Sequence, residues 1–280
     1  MKNCSSIKVV CIRSGGNDTA LCIKNVESLD ERKKLNDFLM ECYPNIEQVG
    51  FINTDINNAE LTMAGGEFCG NATRSSAWII LGGKPGTIDI KVSGVDKKLK
   101  AGVTENLEAF AQMPIYSEVS NIVFDAPNTK NCLVKMEGIV HYIDFDSNKI
   151  DGLNNEEVKS LGMSIIKEKK IDNYPAAGVI FVSKNQEGFE ISPVVYVRDI
   201  NTIFYETACG SGTTALGMCL ALNSGGSIKD VSIIQPSGLP IKVSVEFDGS
   251  RFGNAMISGP VQEINTLMVD VEGDNKFVIK

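Results

Sequence analysis

One motif occurs twice in this chain, each time in the same surroundings, and nothing else in the sequence restricts the fold as much. In the first half an apolar run, Val49-Gly50-Phe51-Ile52, leads through Leu61-Thr62-Met63 to Glu67-Phe68-Cys69-Gly70-Asn71-Ala72-Thr73. A helix-like run through Ala77-Trp78-Ile79-Ile80 follows, then strand-like residues 88–92, a Ser93-Gly94 turn and strand-like Leu99–Val103. In the second half, residues 179–182 and 194–197 lead to Glu206-Thr207-Ala208-Cys209-Gly210-Ser211-Gly212-Thr213. Next come a helix-like run over 215–218, a strand over 231–234, a Ser237-Gly238 turn and a strand over 241–245. Self-similarity of this kind marks a duplicated structural unit.

Each unit has readable local structure. Ile241-Lys242-Val243-Ser244-Val245 alternates with period two, as a half-buried strand does. Residues 213–222 carry apolar or small side chains on every face, which marks a helix buried all round. The expected fold is α/β, with two pseudo-symmetric lobes, each a curved mixed or antiparallel sheet wrapped around a central helix. Residues 1–125 would form the lobe carrying Cys69 and residues 126–280 the lobe carrying Cys209, the last strand being free to pair with the first lobe. Residues 125–129 would cross between them, and polar helix-like segments over 28–42 and 155–171 would cover the outside.

A cysteine just before a helix is chemically distinctive. The first amide N–H groups of a helix have no intrahelical partner, and with the macrodipole they form an anion site. Gly70 and Gly210 have no Cβ, so a ligand can approach the backbone closely. A thiol placed there is expected to have its pKa drawn below the free value of about 8.5. Two such turns facing each other would hold one carboxylate between two sulfurs. That suits racemisation at an α-carbon, which needs fixed donors for the developing charge and an acid and a base on opposite faces. No lysine signature for pyridoxal phosphate is evident, so no cofactor is expected.

Composition narrows the alternatives. The 280 residues are 43% hydrophobic and 22% charged with a net charge of -8, the balance of an ordinary globular protein without a basic run for nucleic acid. No apolar stretch approaches the roughly 20 residues that span a bilayer. The start, Met1-Lys2-Asn3-Cys4-Ser5, reads as a strand and not as a signal peptide. Eight cysteines without a CxxC pair read as free thiols of a reducing cytoplasm, and Cys4, Cys11, Cys22, Cys42, Cys132 and Cys219 are taken as ordinary buried or structural residues. One histidine and no Cys/His cluster leave no metal site. Asp144-Phe145-Asp146-Ser147-Asn148 starts like a calcium loop but has Lys149 where the turn glycine belongs. Gly210-Ser211-Gly212 lacks the third glycine of a dinucleotide loop.

At the two motifs the chain resembles the diaminopimelate epimerase superfamily. Glu67-Phe68-Cys69-Gly70-Asn71-Ala72-Thr73-Arg74 and Ala208-Cys209-Gly210-Ser211-Gly212 resemble its catalytic motifs, and Gly15-Gly16-Asn17-Asp18 its amino-terminal Gly-Asn-Asp element. The resemblance implies a diaminopimelate epimerase-like fold with the site in a cleft and Cys69 and Cys209 as the acid/base pair. It also implies amides near Gly70, Asn71, Gly210 and Ser211 as the α-carboxylate cradle, and Asn17 as a substrate contact. Proline racemases of this fold carry His where Asn71 stands. Diaminopimelate epimerases carry a Glu-Arg pair shortly before the second cysteine, whereas no Arg lies between Asn201 and Ala208 here. The family's Asn-Pro-His element is matched only by Ile139-Val140-His141. Over Glu47-Gln48-Val49-Gly50-Phe51-Ile52, Val140-His141-Tyr142 and both cysteine motifs, the chain is similar to the histidine racemases of the staphylopine pathway.

The expected activity is therefore cofactor-independent interconversion of L- and D-histidine. An imidazole offers a donor and an acceptor and can be charged, so a nearby carboxylate suits it. Glu47 and Glu206 are the candidates, and His141 is read as structural. The alternatives are an epimerase of diaminopimelate or a racemase of another amino acid, a catalytically inactive carboxylate-binding protein, and a thiol–disulfide protein, the last weakened by the missing CxxC. The expected partner is a small amino acid, with neither nucleic acid nor membrane, a cytoplasmic location, and a homodimer left open.

Overall fold

A computed structural model describes residues 5–127, 129–184, 186, 188–272 and 276–279. The strand expected from Met1 therefore begins in the described region at Ser5, and Met1 to Cys4 lie outside it, as does Asn128 of the expected crossing segment.

The fold is mixed α/β, mostly sheet. The first half runs β1 (Ser5–Ser14), β2 (Asn17–Cys22), α1 (Leu29–Cys42), β3 (Ile46–Asn53), β4 (Glu60–Met63), α2 (Gly70–Leu81), β5 (Gly86–Val92), β6 (Leu99–Val103) and β7 (Ala109–Met113). After β8 (Ile122–Phe124) the second half runs β9 (Cys132–Met136), β10 (Ile139–Asp144), α3 (Asn155–Glu168), β11 (Ala176–Lys184), β12 (Phe189–Val197), β13 (Thr202–Tyr205), α4 (Gly210–Ser224), β14 (Ile228–Ile234), β15 (Pro240–Phe247) and β16 (Phe252–Gly259). The chain closes with β17 (Val261–Glu272) and β18 (Lys276–Ile279).

The repeat reaches further than the sequence indicated. Antiparallel β1–β2 and parallel β2–β3 are matched by antiparallel β9–β10 and parallel β10–β11. Antiparallel β3–β4 and parallel β4–β5 are matched by antiparallel β11–β12 and parallel β12–β14. The meander β5–β6–β7 is matched by β14–β15–β16. Strand β7 pairs antiparallel with β16 and joins the halves, while β17 returns along β1. Strand β13 has no counterpart in the first half; it pairs with β12 and delivers the chain to Glu206.

Helix α4 is buried on almost every residue and packs on β10, β14, β15 and β16. A Cβ on Gly217 would lie 2.8 Å from Val243 Cγ2, so glycine sets the distance between helix and sheet. The outer helices begin where the polar segments suggested. Ser28 caps α1, and Asn154 with Glu157 forms a full capping box on α3. Of the cysteines assigned bland roles, Cys11, Cys22, Cys132 and Cys219 are buried free thiols, Cys42 is exposed and Cys4 lies outside the described residues. Cys132 Sγ and Cys219 Sγ are 3.4 Å apart. Among the described residues no helix is long and apolar enough to cross a membrane.

Candidate active site

Both Cys-Gly turns open into one cavity. Cys69, Gly70, Asn71, Cys209, Gly210 and Ser211 all line it, together with Glu47, Gln48, Glu67 and Glu206. The space about the two turns, open solvent at its mouth included, comes to about 630 Å³. None of the described residues lining it is basic.

The turns are built alike. Cys69 and Cys209 are the N-caps of α2 and α4, and each sulfur accepts the N–H three residues on, from Ala72 and Gly212, at 3.3 Å. Sulfur is a weak acceptor in a position that favours Ser, Thr, Asp or Asn. Asn71 Nδ2 donates to the Ala208 carbonyl at 2.9 Å and so stitches one turn to the other. Its Oδ1 accepts from the fully buried Arg74 guanidinium at 3.2 Å. The side-chain amide of Asn71 is thus committed to the protein, leaving its backbone N–H at the helix start.

A hydrogen-bonded path runs from one sulfur towards the other. The Cys69 thiol donates to Gln48 Oε1 at 2.7 Å, Gln48 Nε2 donates to Glu206 Oε1 at 2.8 Å, and Glu206 lies beside the Cys209 thiol, whose pKa it raises. Ser211 Oγ lies 3.4 Å from Cys209 Sγ and 2.8 Å from His141 Nε2. His141 is buried, and burial pushes its pKa down to about 3, so the imidazole is neutral. It stands behind Ser211 and reaches the cavity through that hydroxyl.

The electrostatics correct one expectation. Burial pushes both thiols well above their ordinary value. The N–H of Ala72 at Cys69, and the Ser211 hydroxyl and Gly212 N–H at Cys209, pull back less, and the charge of Glu206 adds to the rise. The helix-start effect is present but desolvation dominates it, so neither thiol is low in pKa at rest. Burial likewise raises the carboxyls: Glu206 to about 8, with the charge of Glu47 adding to it, and Glu47 and Glu67 each to about 7.

Two expected substrate contacts have other duties. Asn17 is fully buried, donates to Glu47 Oε2 at 2.7 Å, accepts from Thr19 Oγ1 at 2.9 Å, and does not line the cavity. Glu47 lines it, but its oxygens accept from Asn17 and from the Thr207 N–H and hydroxyl. The Gly15-Gly16 hairpin turn that positions Asn17 has φ of 62° and 104°, and a Cβ on Gly16 would lie 2.1 Å from Ser237 Cβ. Only glycine serves there. Sequence reading missed Gln48 and Gln235, whose Oε1 accepts the Cys209 N–H at 2.9 Å. A polar Glu47-Gln48 pair opening an otherwise apolar strand was the available signal for the first; the second had none.

Comparison with known proteins supplies the family. The chain matches the family model described as the histidine racemase CntK N-terminal domain over residues 7–266. It is 32% identical over 267 residues to a histidine racemase of Fusobacterium nucleatum subsp. nucleatum, covering 90% of this chain and 92% of that protein. It is 26% identical over 233 residues to the histidine racemase of Staphylococcus aureus, covering 80% and 83%. Among solved structures, a hydroxyproline epimerase from Agrobacterium vitis with bound trans-4-hydroxy-L-proline has a TM-score of 0.66 at 13% identity, covering 96% of this chain and 94% of its own. A phenazine biosynthesis protein of the PhzF family from Bacillus anthracis has a TM-score of 0.61 at 12% identity, covering 95% and 99%. At such identities the structures speak for the fold alone, but the match over nearly the whole sequence assigns the family: this chain belongs to the histidine racemase CntK family.

Proposed function

We propose that this protein interconverts L- and D-histidine without a cofactor, using Cys69 and Cys209 as paired acid and base. One observation carries the reading: two capped helix starts, each with a thiol, open on one cavity, and a hydrogen-bonded path from Cys69 through Gln48 ends at Glu206 beside Cys209. The membership of the chain in its family supplies the substrate. The two halves, residues 1–125 and 126–280, act in this reading as pseudo-symmetric lobes with the substrate between them, a view that the matched strand pairings support. The site is that of an enzyme and not of a mere carboxylate-binding protein, because binding needs only the amides and both thiols are retained at caps where Ser would bond better.

The chemistry follows from the residues. The helix-start amides of Gly70, Asn71, Gly210 and Ser211 hold the α-carboxylate and take up the charge that develops as the α-proton leaves. Glu206, raised towards neutrality, takes the thiol proton of Cys209 and turns that sulfur into the base. The thiolate abstracts the α-proton from one face, and Cys69 donates its thiol proton to the other. The reverse reaction exchanges the roles. Because the equilibrium constant of a racemisation is one, kcat/KM must be the same for both enantiomers. Diaminopimelate is a poorer fit, since no described residue lining the cavity is basic and a second carboxylate would be buried unpaired.

The test is circular-dichroism decay of L- and of D-histidine, with α-deuterium incorporation followed by NMR in D2O. Both enantiomers should decay and exchange. Turnover of diaminopimelate with none of histidine would refute the substrate assignment.

A further inference from the structure

We infer that Glu67 is the residue that recognises the substrate side chain, accepting the ring N–H of histidine at a buried carboxylate oxygen that has no partner of its own. The inference rests on the proposed racemisation of histidine and deepens it.

Three glutamates face the cavity. Glu47 is held by Asn17 and Thr207, and Glu206 Oε1 accepts from Gln48 beside the Cys209 thiol. Glu67 is buried, lines the cavity, and its Oε2 has no hydrogen-bond partner. A buried carboxylate oxygen without a donor is costly, so a site that keeps one is arranged for a donor that arrives with the ligand.

The glycine beside it fixes where that oxygen sits. A Cβ on Gly65 would sit 2.7 Å from Glu67 Oε2, 2.9 Å from Val197 Cγ1 and 3.4 Å from Ile200 Cγ1. Gly66 has a φ of 77° and needs glycine for its backbone, but Gly65 is not among the positive-φ glycines. Its missing side chain therefore makes room for the Glu67 carboxylate itself, which lies with Val197 against the place a Cβ would take. Val195, Val197, Ile200 and Phe204 give the same cavity an apolar wall. Apolar faces with one acceptor match a flat ring that carries an N–H at its edge.

The experiment compares histidine with 3-(2-thienyl)alanine, which is close in shape and has no ring N–H, either as substrate or as competitive inhibitor. A hydrogen bond to a charged group is worth roughly 10- to 100-fold. Glu67→Gln should lower kcat/KM for histidine by that factor, mainly through KM, and leave thienylalanine within about twofold. Loss for both compounds alike, or no loss for histidine, overturns the assignment. Gly65→Ala, which needs no unusual backbone, should mimic the effect by crowding Oε2. Should Glu67→Gln fail to fold, ring-15N-labelled histidine bound to Cys69→Ser protein decides. A ring nitrogen held protonated and shifted from free histidine is expected, and ring signals identical to those of free histidine overturn the inference. Wild-type protein inert towards histidine would overturn the proposed function along with this inference. Active wild-type protein with an unchanged histidine-to-thienylalanine ratio in the variant overturns this assignment alone.

Discussion

At the start of α2 and at the start of α4 the backbone is the same. Each cysteine accepts the N–H three residues on at 3.3 Å, and Thr73 and Thr213, four residues on, each bond back to the cysteine carbonyl at 2.7 Å. What surrounds the sulfurs differs. The thiol of Cys69 donates to the neutral amide of Gln48, whereas that of Cys209 meets the carboxylate of Glu206 and the hydroxyl of Ser211, which His141 holds. The repeated turn sets the geometry, and the differing neighbours set the proton affinity. In the proposed mechanism both thiols are protonated at rest, Cys209 is the one that Glu206 turns into the base, and Cys69 is the one that keeps its proton as the acid. The unmatched strand β13 is the device that separates them, because it leads directly into Glu206.

The strongest way to break this comparison is to remove each sulfur in turn. Cys69→Ser and Cys209→Ser should each lower racemisation by about 10³-fold or more, because a hydroxyl is a far weaker acid than a thiol. Neither should lose stability, since serine is the better N-cap, by about 1 kcal/mol at most. The two variants should then differ in a revealing way. Each keeps one sulfur, so each should retain solvent exchange at the α-carbon for one enantiomer only, and for opposite enantiomers. Exchange of the same enantiomer by both, followed by NMR in D2O, would show that the sulfurs do not flank the α-carbon.

Glu206→Gln tests the asymmetry itself. It keeps a partner for Gln48 but removes the acceptor of the Cys209 proton. A fall of about 10²-fold in kcat/KM is expected, equal for both enantiomers, with the acid limb of the pH profile altered. An unchanged profile would mean that Cys209 loses its proton elsewhere.

Stability against pH gives a third measure. Glu67 and Glu206 have folded pKa values of about 7 and 8, above the ordinary 4.5, chiefly through burial. A raised carboxyl stabilises the fold fully below its unfolded pKa, and that stabilisation is lost as pH rises through the folded value. Replacing Glu67 by Gln should therefore leave stability at pH 5 little changed and raise it at pH 9, by on the order of 2 kcal/mol. His141 works in the opposite sense. Its pKa is lowered to about 3, so its contribution is present above the unfolded value of 6.5 and is lost as pH falls through 3. Denaturant midpoints at the two pH values check the sign; a Glu67→Gln protein less stable at pH 9 than wild type would refute it.

The smallest effect belongs to the shell behind Cys209. His141→Asn removes the partner of Ser211 without touching the cavity, and activity should fall about 5- to 10-fold, mostly in kcat. Cys132→Ser, remote from the site, should change turnover by less than about twofold.

Much of this was legible in the sequence. The duplicated Cys-Gly turns, the all-apolar α4 and the capped outer helices are local patterns, set by periodicity and by which residues tolerate a helix start, and they were read at nearly their observed bounds. That Cys69 and Cys209 each open a helix was legible for the same reason. Strand β13 was not: Thr202–Tyr205 is too short to declare a period. What only the tertiary structure decided is which polar side chains are free. Asn17 and Glu47 looked available in the chain but are consumed by Thr19 and Thr207. Gln48 looked ordinary and bridges Cys69 to Glu206, 158 positions away. Glu67, two residues before Cys69, keeps an oxygen without a partner. The thiol pKa values went the same way: the helix start is written in the sequence, but the burial that overrides it comes from residues distant in the chain. Hydrogen-bond partnership and desolvation depend on what packs against a group, and sequence spacing does not carry that information.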